Sequence, residues 1–246
     1  MKFRSLMLLV LLVLLPVCAE AQGLPTITLG IGEATEPGEV STALQILIVL
    51  TILSVAPAIL LMTTGFTRIV IVLSFVRQAM GTQQAPSNQI VVGLALFLTF
   101  FVMTPVFNQI NEQALQPYLD NQISQEQALT QALQPMRQFM FSQVGEKDLA
   151  LLVDISKQPQ PENQDDISML TLIPAFMLSE LKRAFQMGFL LFIPFLMIDM
   201  IVASILMAMG MMMLPPIIVS LPFKILLFVL VDGWSLVIGS LVQSFG

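Results

Sequence analysis

Long apolar runs divide this sequence and predict helices that cross a membrane. Runs of about 20 apolar residues match the hydrocarbon core of a bilayer, which is roughly 30 Å thick. The predicted spans are 43–62, 90–107, 185–209 and 217–242. We therefore predict an all-α, polytopic membrane protein with four hydrophobic helices.

The first two spans form a predicted helical hairpin, residues 43–107. A shorter apolar stretch, 68–80, lies between them and ends at Gly81, a residue that suits a helix C-terminus. Arg68 and Arg77 are the only charges between the two spans. Because positive residues favour the cytoplasmic side, we expect this connection to face the cytoplasm.

The N-terminal residues predict a secretory signal peptide, 1–21. Lys2 and Arg4 precede a short apolar stretch, and Ala19 and Ala21 provide the small residues that a signal peptidase cleaves after. The alternative is an uncleaved first anchor, which the short apolar stretch disfavours. Residues 22–42 then form a predicted acidic extracytoplasmic arm.

Residues 108–173 are polar and acidic, and they predict a small helical domain outside the cytoplasm. Between Glu112 and Asp166, acidic residues outnumber basic ones nine to three. Ser124 and Gln127 have the spacing of a helix capping box. An acidic segment poor in basic residues belongs on the outer side of the membrane.

The last segment, 174–246, predicts a second hairpin with an unusual tip. Pro174 is expected to open its first helix. The join between the two spans contains Met209, Met211, Met212 and Met213, together with Gly210 and a pair of prolines. Methionine is flexible and polarizable, so a methionine tip can adapt to varied surfaces, although methionine also fills gaps in ordinary helix bundles.

Composition excludes several function classes. Hydrophobic residues make up 56% and charged residues 11%, unlike a soluble domain. The sequence has no His and one cysteine, Cys18, inside the predicted signal peptide. No metal site, cofactor or nucleophile–base pair is predicted, and the net charge of −6 disfavours nucleic-acid binding. We expect no enzymatic activity.

Three charged residues lie within the two apolar spans of the predicted last hairpin: Asp199, Lys224 and Asp232. A charge in hydrocarbon costs about 2.5–3.5 kcal/mol, so each should face protein or water. With a rise of about 1.5 Å per residue, Asp199 and Lys224 lie roughly 21 and 17 Å from the tip, at a similar depth. They can therefore form an ion pair, and its role is either structural or proton transfer. Asp232 lacks a partner within the hairpin and is a candidate for pairing with another subunit.

A charged collar precedes the third span. Glu180, Lys182 and Arg183 have either a solvated position at the membrane boundary or a role in subunit contact. Glu180 and Arg183 are three residues apart, which allows a local ion pair.

Three stretches of this sequence resemble the FliP family, the core membrane subunit of the bacterial flagellar type III protein export gate. They are 77–89 (RQAMGTQQAPSNQ), 174–189 (PAFMLSELKRAFQMGF), and 214–234 with its LPP, FK and VDGW elements. The resemblance covers the chain from the first span to the C-terminus, and residues 22–42 and 108–168 carry less of it.

The resemblance implies a non-enzymatic pore subunit in the inner membrane at the flagellar basal body. Several copies would assemble with two smaller membrane proteins, FliQ and FliR, and with other export-apparatus membrane proteins, surrounded by lipid. Unfolded flagellar subunits would pass through the assembly. On this resemblance Met209, Met211, Met212 and Met213 form a gasket that seals the pore.

Two other functions remain open at this point. One is the equivalent subunit of a virulence-type injection system, which shares the family core. The other is a proton-coupled small-solute transporter using Asp199 and Asp232, although four spans without an inverted repeat are few for a self-contained carrier.

Overall fold

The computed structural model describes residues 37–82, 85–157, 161–211 and 213–246, with side chains described from Leu44 onward. The predicted signal peptide and the part of the predicted acidic arm before Pro37 lie outside these residues. Thr51–Gly246 forms one compact unit, and the described residues 37–50 belong to a separate one.

Within the described residues the chain is built from helices and their connections. The α-helices are α1 (Pro37–Met62), α2 (Phe66–Ala79), α3 (Asn88–Ile110), α4 (Gln116–Leu119), α5 (Gln125–Gln143), α6 (Glu146–Ser156), α7 (Met169–Ala208), α8 (Pro216–Leu230) and α9 (Gly233–Gln243). A π-helical turn, Asn111–Leu115, joins α3 to α4, and a 3₁₀ turn, Gln164–Asp166, precedes α7.

The predicted all-α class is confirmed. Among the described residues, three helical stretches are long and apolar enough to cross a bilayer: Leu44–Met62, Asn88–Leu119 and Met169–Ala208. The pair α8 and α9 counts as a fourth if it forms one span, although the two helices are bent by 64°.

Helix α7 is much longer than the span predicted within it. Its 40 residues correspond to about 60 Å, or twice the thickness of a bilayer core. The expectation that Pro174 opens this helix is wrong, because α7 begins at Met169, after the extended residue Ser168. The predicted boundary between 173 and 174 therefore falls inside a continuous helix.

Helix α3 also continues past its predicted end. Beyond Phe107 the backbone stays helical through the π-helical turn and α4 to Leu119. The polar residues that follow the apolar run thus extend the same rod, and the predicted boundary between 107 and 108 is not a structural break. The polar insert therefore begins on the continuation of α3 and ends on α7, the two helices that contain the second and third predicted spans.

The short helix α2 lies at the centre of the apolar core. It packs against α7 and α3, and Gly188 of α7 allows the close approach, because a Cβ there would lie 2.4 Å from Phe75 Cδ2. Its inward face consists of Ile69, Val72, Leu73, Val76 and Ala79, all buried.

The polar insert forms a second packing centre against the start of α7. Helices α5 and α6 both contact α7, and the buried side chains between them include Met140, Leu172 and Phe176. The predicted capping box is confirmed: Ser124 Oγ accepts from Gln127 N, and the Gln127 side chain accepts from Ser124 N. The insert is therefore a small helical subdomain fixed to α7.

The predicted fourth span is broken rather than continuous. Helix α8 ends at Leu230 and α9 begins at Gly233, with Asp232 in the left-handed region at φ 51°. A Cβ at Gly233 would lie 2.4 Å from Phe228, so glycine permits the close approach at this bend. Hydropathy alone does not detect this break, because α8 and α9 are both apolar.

Candidate functional site

The methionine-rich segment forms the exposed loop between α7 and α8. Helix α7 ends at Ala208, and Gly210 takes φ 73°, a left-handed conformation that favours glycine. The side chains of Met209, Met211 and Met213 are exposed, and Met213 reaches 98%. Met212 lies outside the described residues.

This loop offers a soft apolar surface without fixed polar groups. Methionine side chains are unbranched and polarizable, so they fit many different surfaces. The loop therefore provides the chemistry of an adaptable contact and lacks the chemistry of a specific polar site.

Asp199 and Lys224 form the ion pair that their predicted depths allow. Lys224 Nζ lies 2.5 Å from Asp199 Oδ2, and Ser220 Oγ donates to Asp199 Oδ1 at 2.5 Å. Lys224 and Ser220 are buried, and Asp199 is half-buried. The pair joins α7 to α8, and the Asp199 carboxylate neutralises the charge of the buried Lys224 side chain.

A cavity of about 530 Å³ with a mixed polar and apolar lining adjoins this ion pair. Side chains from the C-terminal part of α2, including Arg77, line one side, and Asp199 and Lys224 line another. Gly81 closes the end of α2 with φ 77°, as predicted for a helix terminus, and its missing Cβ would lie 3.8 Å from Lys224 Nζ. Two cations and one carboxylate thus border the same cavity.

Asp232 stands apart from these groups. Its side chain is exposed at the bend between α8 and α9, and it has no ion pair with a described residue of this chain. Its proposed pairing with another subunit stays a prediction.

Glu180 makes a buried ion pair that the sequence did not reveal. Arg68 Nε donates to Glu180 Oε2 at 2.9 Å, and Arg68 Nη2 donates to Glu180 Oε1. Both side chains are fully enclosed, so Glu180 is no part of a solvated collar and offers no surface for subunit contact. The local pair expected with Arg183 is replaced by this long-range one.

The remaining donors of Arg68 tie further segments to this pair. Arg68 Nη2 donates to Gln143 Oε1 of α5 at 2.9 Å, and Nη1 donates to the Ser244 carbonyl oxygen at 2.8 Å. The guanidinium also lies 3.9 Å from the centre of the Phe245 ring. One arginine therefore connects α2, α7, the insert and the C-terminal residues.

Lys182 and Arg183 differ from Glu180 in exposure. Lys182 is exposed, with Nζ 3.7 Å from Asp148 Oδ1, and Arg183 Nη1 donates to Gln143 Oε1 at 3.0 Å. Asp148 also accepts from Ser179 Oγ at 2.8 Å. These contacts dock α6 and α5 on α7, and subunit contact by Lys182 and Arg183 stays a prediction.

Arg68, Gln143 and Ser220 are the site residues that sequence reasoning missed. Arg68 was visible as a charge inside an apolar stretch and was interpreted only as a marker of orientation. An arginine inside an apolar helix needs a buried counter-charge, and this requirement could have predicted a partner such as Glu180. Among the described residues, no three His, Cys, Asp or Glu side chains come together as metal ligands.

Comparison with known proteins adds a family match to this geometry. The sequence profile described as the FliP family matches residues 49–241. The chain is 57% identical over 217 residues to the flagellar biosynthetic protein FliP of Bacillus subtilis (strain 168), covering 88% of this chain and 98% of that protein.

More distant bacteria give similar matches. The FliP protein of Caulobacter vibrioides is 52% identical over 232 residues, with 94% of this chain and 86% of the relative covered. That of Aquifex aeolicus is 48% identical over 224 residues, with 90% and 92% covered. The similarity therefore extends over nearly the whole length of these relatives.

Proposed function

The chain belongs to the FliP family and is a component of the flagellar type III export gate, and we propose that within the gate it lines the pore for unfolded flagellar subunits. Several copies surround the pore, each presenting the loop between α7 and α8 to the centre. In this arrangement Met209, Met211, Met212 and Met213 form a gasket that closes around a passing chain and seals the idle pore.

The exposed methionine loop is the observation that carries this proposal. Met213 is 98% exposed at the end of a helical hairpin, where no described residue of its own chain covers it. Export substrates differ in sequence, so a seal must accept many side chains without specific polar bonds. Thioether side chains meet that requirement because they change rotamer at low cost.

We assign the gate to the inner membrane, with FliQ-type and FliR-type small subunits and other export-apparatus membrane proteins as neighbours. The extensive exposed apolar surface of α1, α3 and α7 supports contact with lipid or with other subunits. We assign no catalytic role, since the sequence contains no His and the buried charged groups Glu180 and Lys224 are engaged in ion pairs within the chain.

A leak assay tests the gasket. In cells that make the whole apparatus, replacing Met209, Met211 and Met213 with Ser should leave assembly intact and make the idle inner membrane permeable to small solutes. The control replaces Met62, Met197 and Met200, which are also exposed but lie in helices. An intact assembly without leak, or an equal leak in the control, would overturn the gasket assignment.

A further inference from the structure

Two charges in the apolar hairpins have no counter-charge among the described residues of their own chain. Described residues 44–110 and 184–246 carry five charged side chains. Arg68 pairs with Glu180, and Asp199 pairs with Lys224. The remaining two are Arg77 and Asp232, and neither lies within 4 Å of an opposite charge among the described residues.

Arg77 faces a cavity that carries an excess positive charge. It lies in the last turn of α2, half-buried, and Nη1 donates to the neutral Asn88 Oδ1 at 3.1 Å. The cavity of about 530 Å³ is bordered by Arg77, Lys224 and Asp199, together with neutral polar and apolar side chains. Because Lys224 is already paired with Asp199, no described anion of this chain pairs with the guanidinium of Arg77.

Asp232 has the opposite imbalance. It is exposed and lies at the 64° bend between α8 and α9. A carboxylate in an apolar segment costs about 2.5–3.5 kcal/mol unless water or an opposite charge receives it. An arginine is the side chain best shaped to do so, because its guanidinium binds both carboxylate oxygens.

Both charges lie near the same level of the bundle. Leu73 of α2 and Trp234 of α9 border one apolar cavity. Arg77 follows Leu73 by one helical turn, and Asp232 precedes Trp234 by two residues. Helix α2 runs antiparallel to α8 and α9, because Gly81 lies against Leu221 and Gly65 against Phe245. The two charges are therefore at matched heights, and they do not meet within one chain.

We propose that Asp232 of one copy binds Arg77 of the next copy, at the mouth of the cavity that Arg77 borders together with Asp199 and Lys224. The pairing rests on the proposed function only in requiring several adjacent copies. Each copy supplies one cation and one anion on different surfaces, so a head-to-tail contact neutralises both. Such heterologous contacts generate rings or helical arrays. A second copy fits better than another partner because its charges match one to one at the same level.

Cysteine cross-linking tests the contact between copies. Two differently tagged chains are made together in cells with the complete gate, one with Arg77→Cys and the other with Asp232→Cys, both with Cys18→Ser. We expect a cross-linked product that carries both tags. The control pairs Asp232→Cys with Phe97→Cys, an exposed residue of α3, and should give none.

Charge removal tests the energetic coupling. Arg77→Gln and Asp232→Asn should each lower the amount of assembled complex by about tenfold, because each leaves the other charge desolvated and unpaired. The double variant should assemble better than either single variant. Asparagine is chosen because it tolerates the left-handed conformation of residue 232. Thermal melting of the purified chains separates loss of assembly from loss of folding.

The outcomes separate this contact from the proposed function. A complex with several copies, no two-tag product and additive losses would overturn the Arg77–Asp232 contact and leave the pore assignment standing. Cross-linking of Asp232→Cys to a smaller protein would also overturn it. If no complex with several copies forms from the unmodified chain, both proposals fail.

Discussion

At the scale of single residues, charges inside apolar segments determine how the helices fit together. Arg68 and Glu180 are completely enclosed, and taking two ions out of water costs several kcal/mol each before their attraction is counted. The pair persists because Gln143 and Ser244 accept the remaining arginine donors. Its contribution is geometric, because the hydrogen bonds of Arg68 hold α2, α7 and α5 in one relative position.

We predict that Glu180→Gln destabilises the folded chain by about 3–5 kcal/mol, because the substitution leaves a buried guanidinium without its counter-charge. Thermal unfolding of the detergent-purified chain measures this loss. The control is Glu112→Gln at an exposed position, which should leave the unfolding midpoint unchanged. Equal midpoints for the two variants would contradict the role given to the Arg68–Glu180 pair.

The Asp199–Lys224 pair allows a test that separates structure from proton transfer. We predict that Asp199→Asn alone reduces the amount of folded protein, because Lys224 is then buried and unpaired. Asp199→Asn combined with Lys224→Met should restore it, since removing both charges removes the desolvation problem. Export of flagellar subunits is the second measurement. If the double variant folds but exports no flagellar subunits, Asp199 takes part in an obligatory proton-transfer step.

The two buried pairs differ in how far sequence reasoning reaches them. Asp199 and Lys224 lie on adjacent antiparallel helices, so a rise of about 1.5 Å per residue was enough to bring them to one depth. Arg68 and Glu180 are 112 residues apart, and no spacing rule relates α2 to α7. Their pairing depends on the tertiary packing of α2, which only the structure supplies.

At the scale of helices, hydropathy located the spans but not their ends. The apolar runs 43–62 and 90–107 lie inside α1 and α3, as predicted. A helix continues wherever its backbone bonds continue, whatever the polarity of its side chains, so α3 and α7 extend beyond their apolar parts. Conversely, the break before α9 leaves no trace in hydropathy and depends on the backbone of Asp232.

We predict that Gly188→Ala destabilises the chain by about 1–3 kcal/mol, through overpacking between α7 and α2. The added Cβ would lie 2.4 Å from Phe75 Cδ2 and 3.1 Å from Phe75 Cβ, so more than a flexible tip must move. The thermal unfolding midpoint is the measurement. Gly93→Ala is the matched control, because nothing lies within 4 Å of its added Cβ.

Alanine also favours a helix interior over glycine by roughly 0.5–1 kcal/mol, so the Gly93 control should be unchanged or slightly more stable. A Gly188→Ala variant as stable as that control would contradict the close packing of α7 on α2.

At the scale of the whole molecule, much of the apolar surface has no partner within the described chain. Only 28% of the most apolar window of Asn88–Leu119 and 17% of that of Met169–Ala208 are buried. A subunit of an oligomer in a membrane requires such surface, because lipid and neighbouring subunits cover it. The family resemblance, carried by three sequence stretches, predicts an assembly of several copies, whereas composition alone does not.

We predict that the purified gate contains several copies of this chain together with small membrane subunits. Native mass spectrometry of the detergent-extracted complex measures the number of copies directly. A single copy, isolated without small partners under conditions that preserve export-competent gates, would instead favour the transporter alternative.

The position of the methionine loop is tested most directly by cross-linking to a stalled export substrate. Met213→Cys in a Cys18→Ser chain should form a disulfide with a cysteine placed in the stalled segment, because the account places this loop around the passing chain. Phe97→Cys, at a side chain 77% exposed but away from the loop, should form none. Substrate cross-linking at Phe97→Cys and none at Met213→Cys would contradict the account.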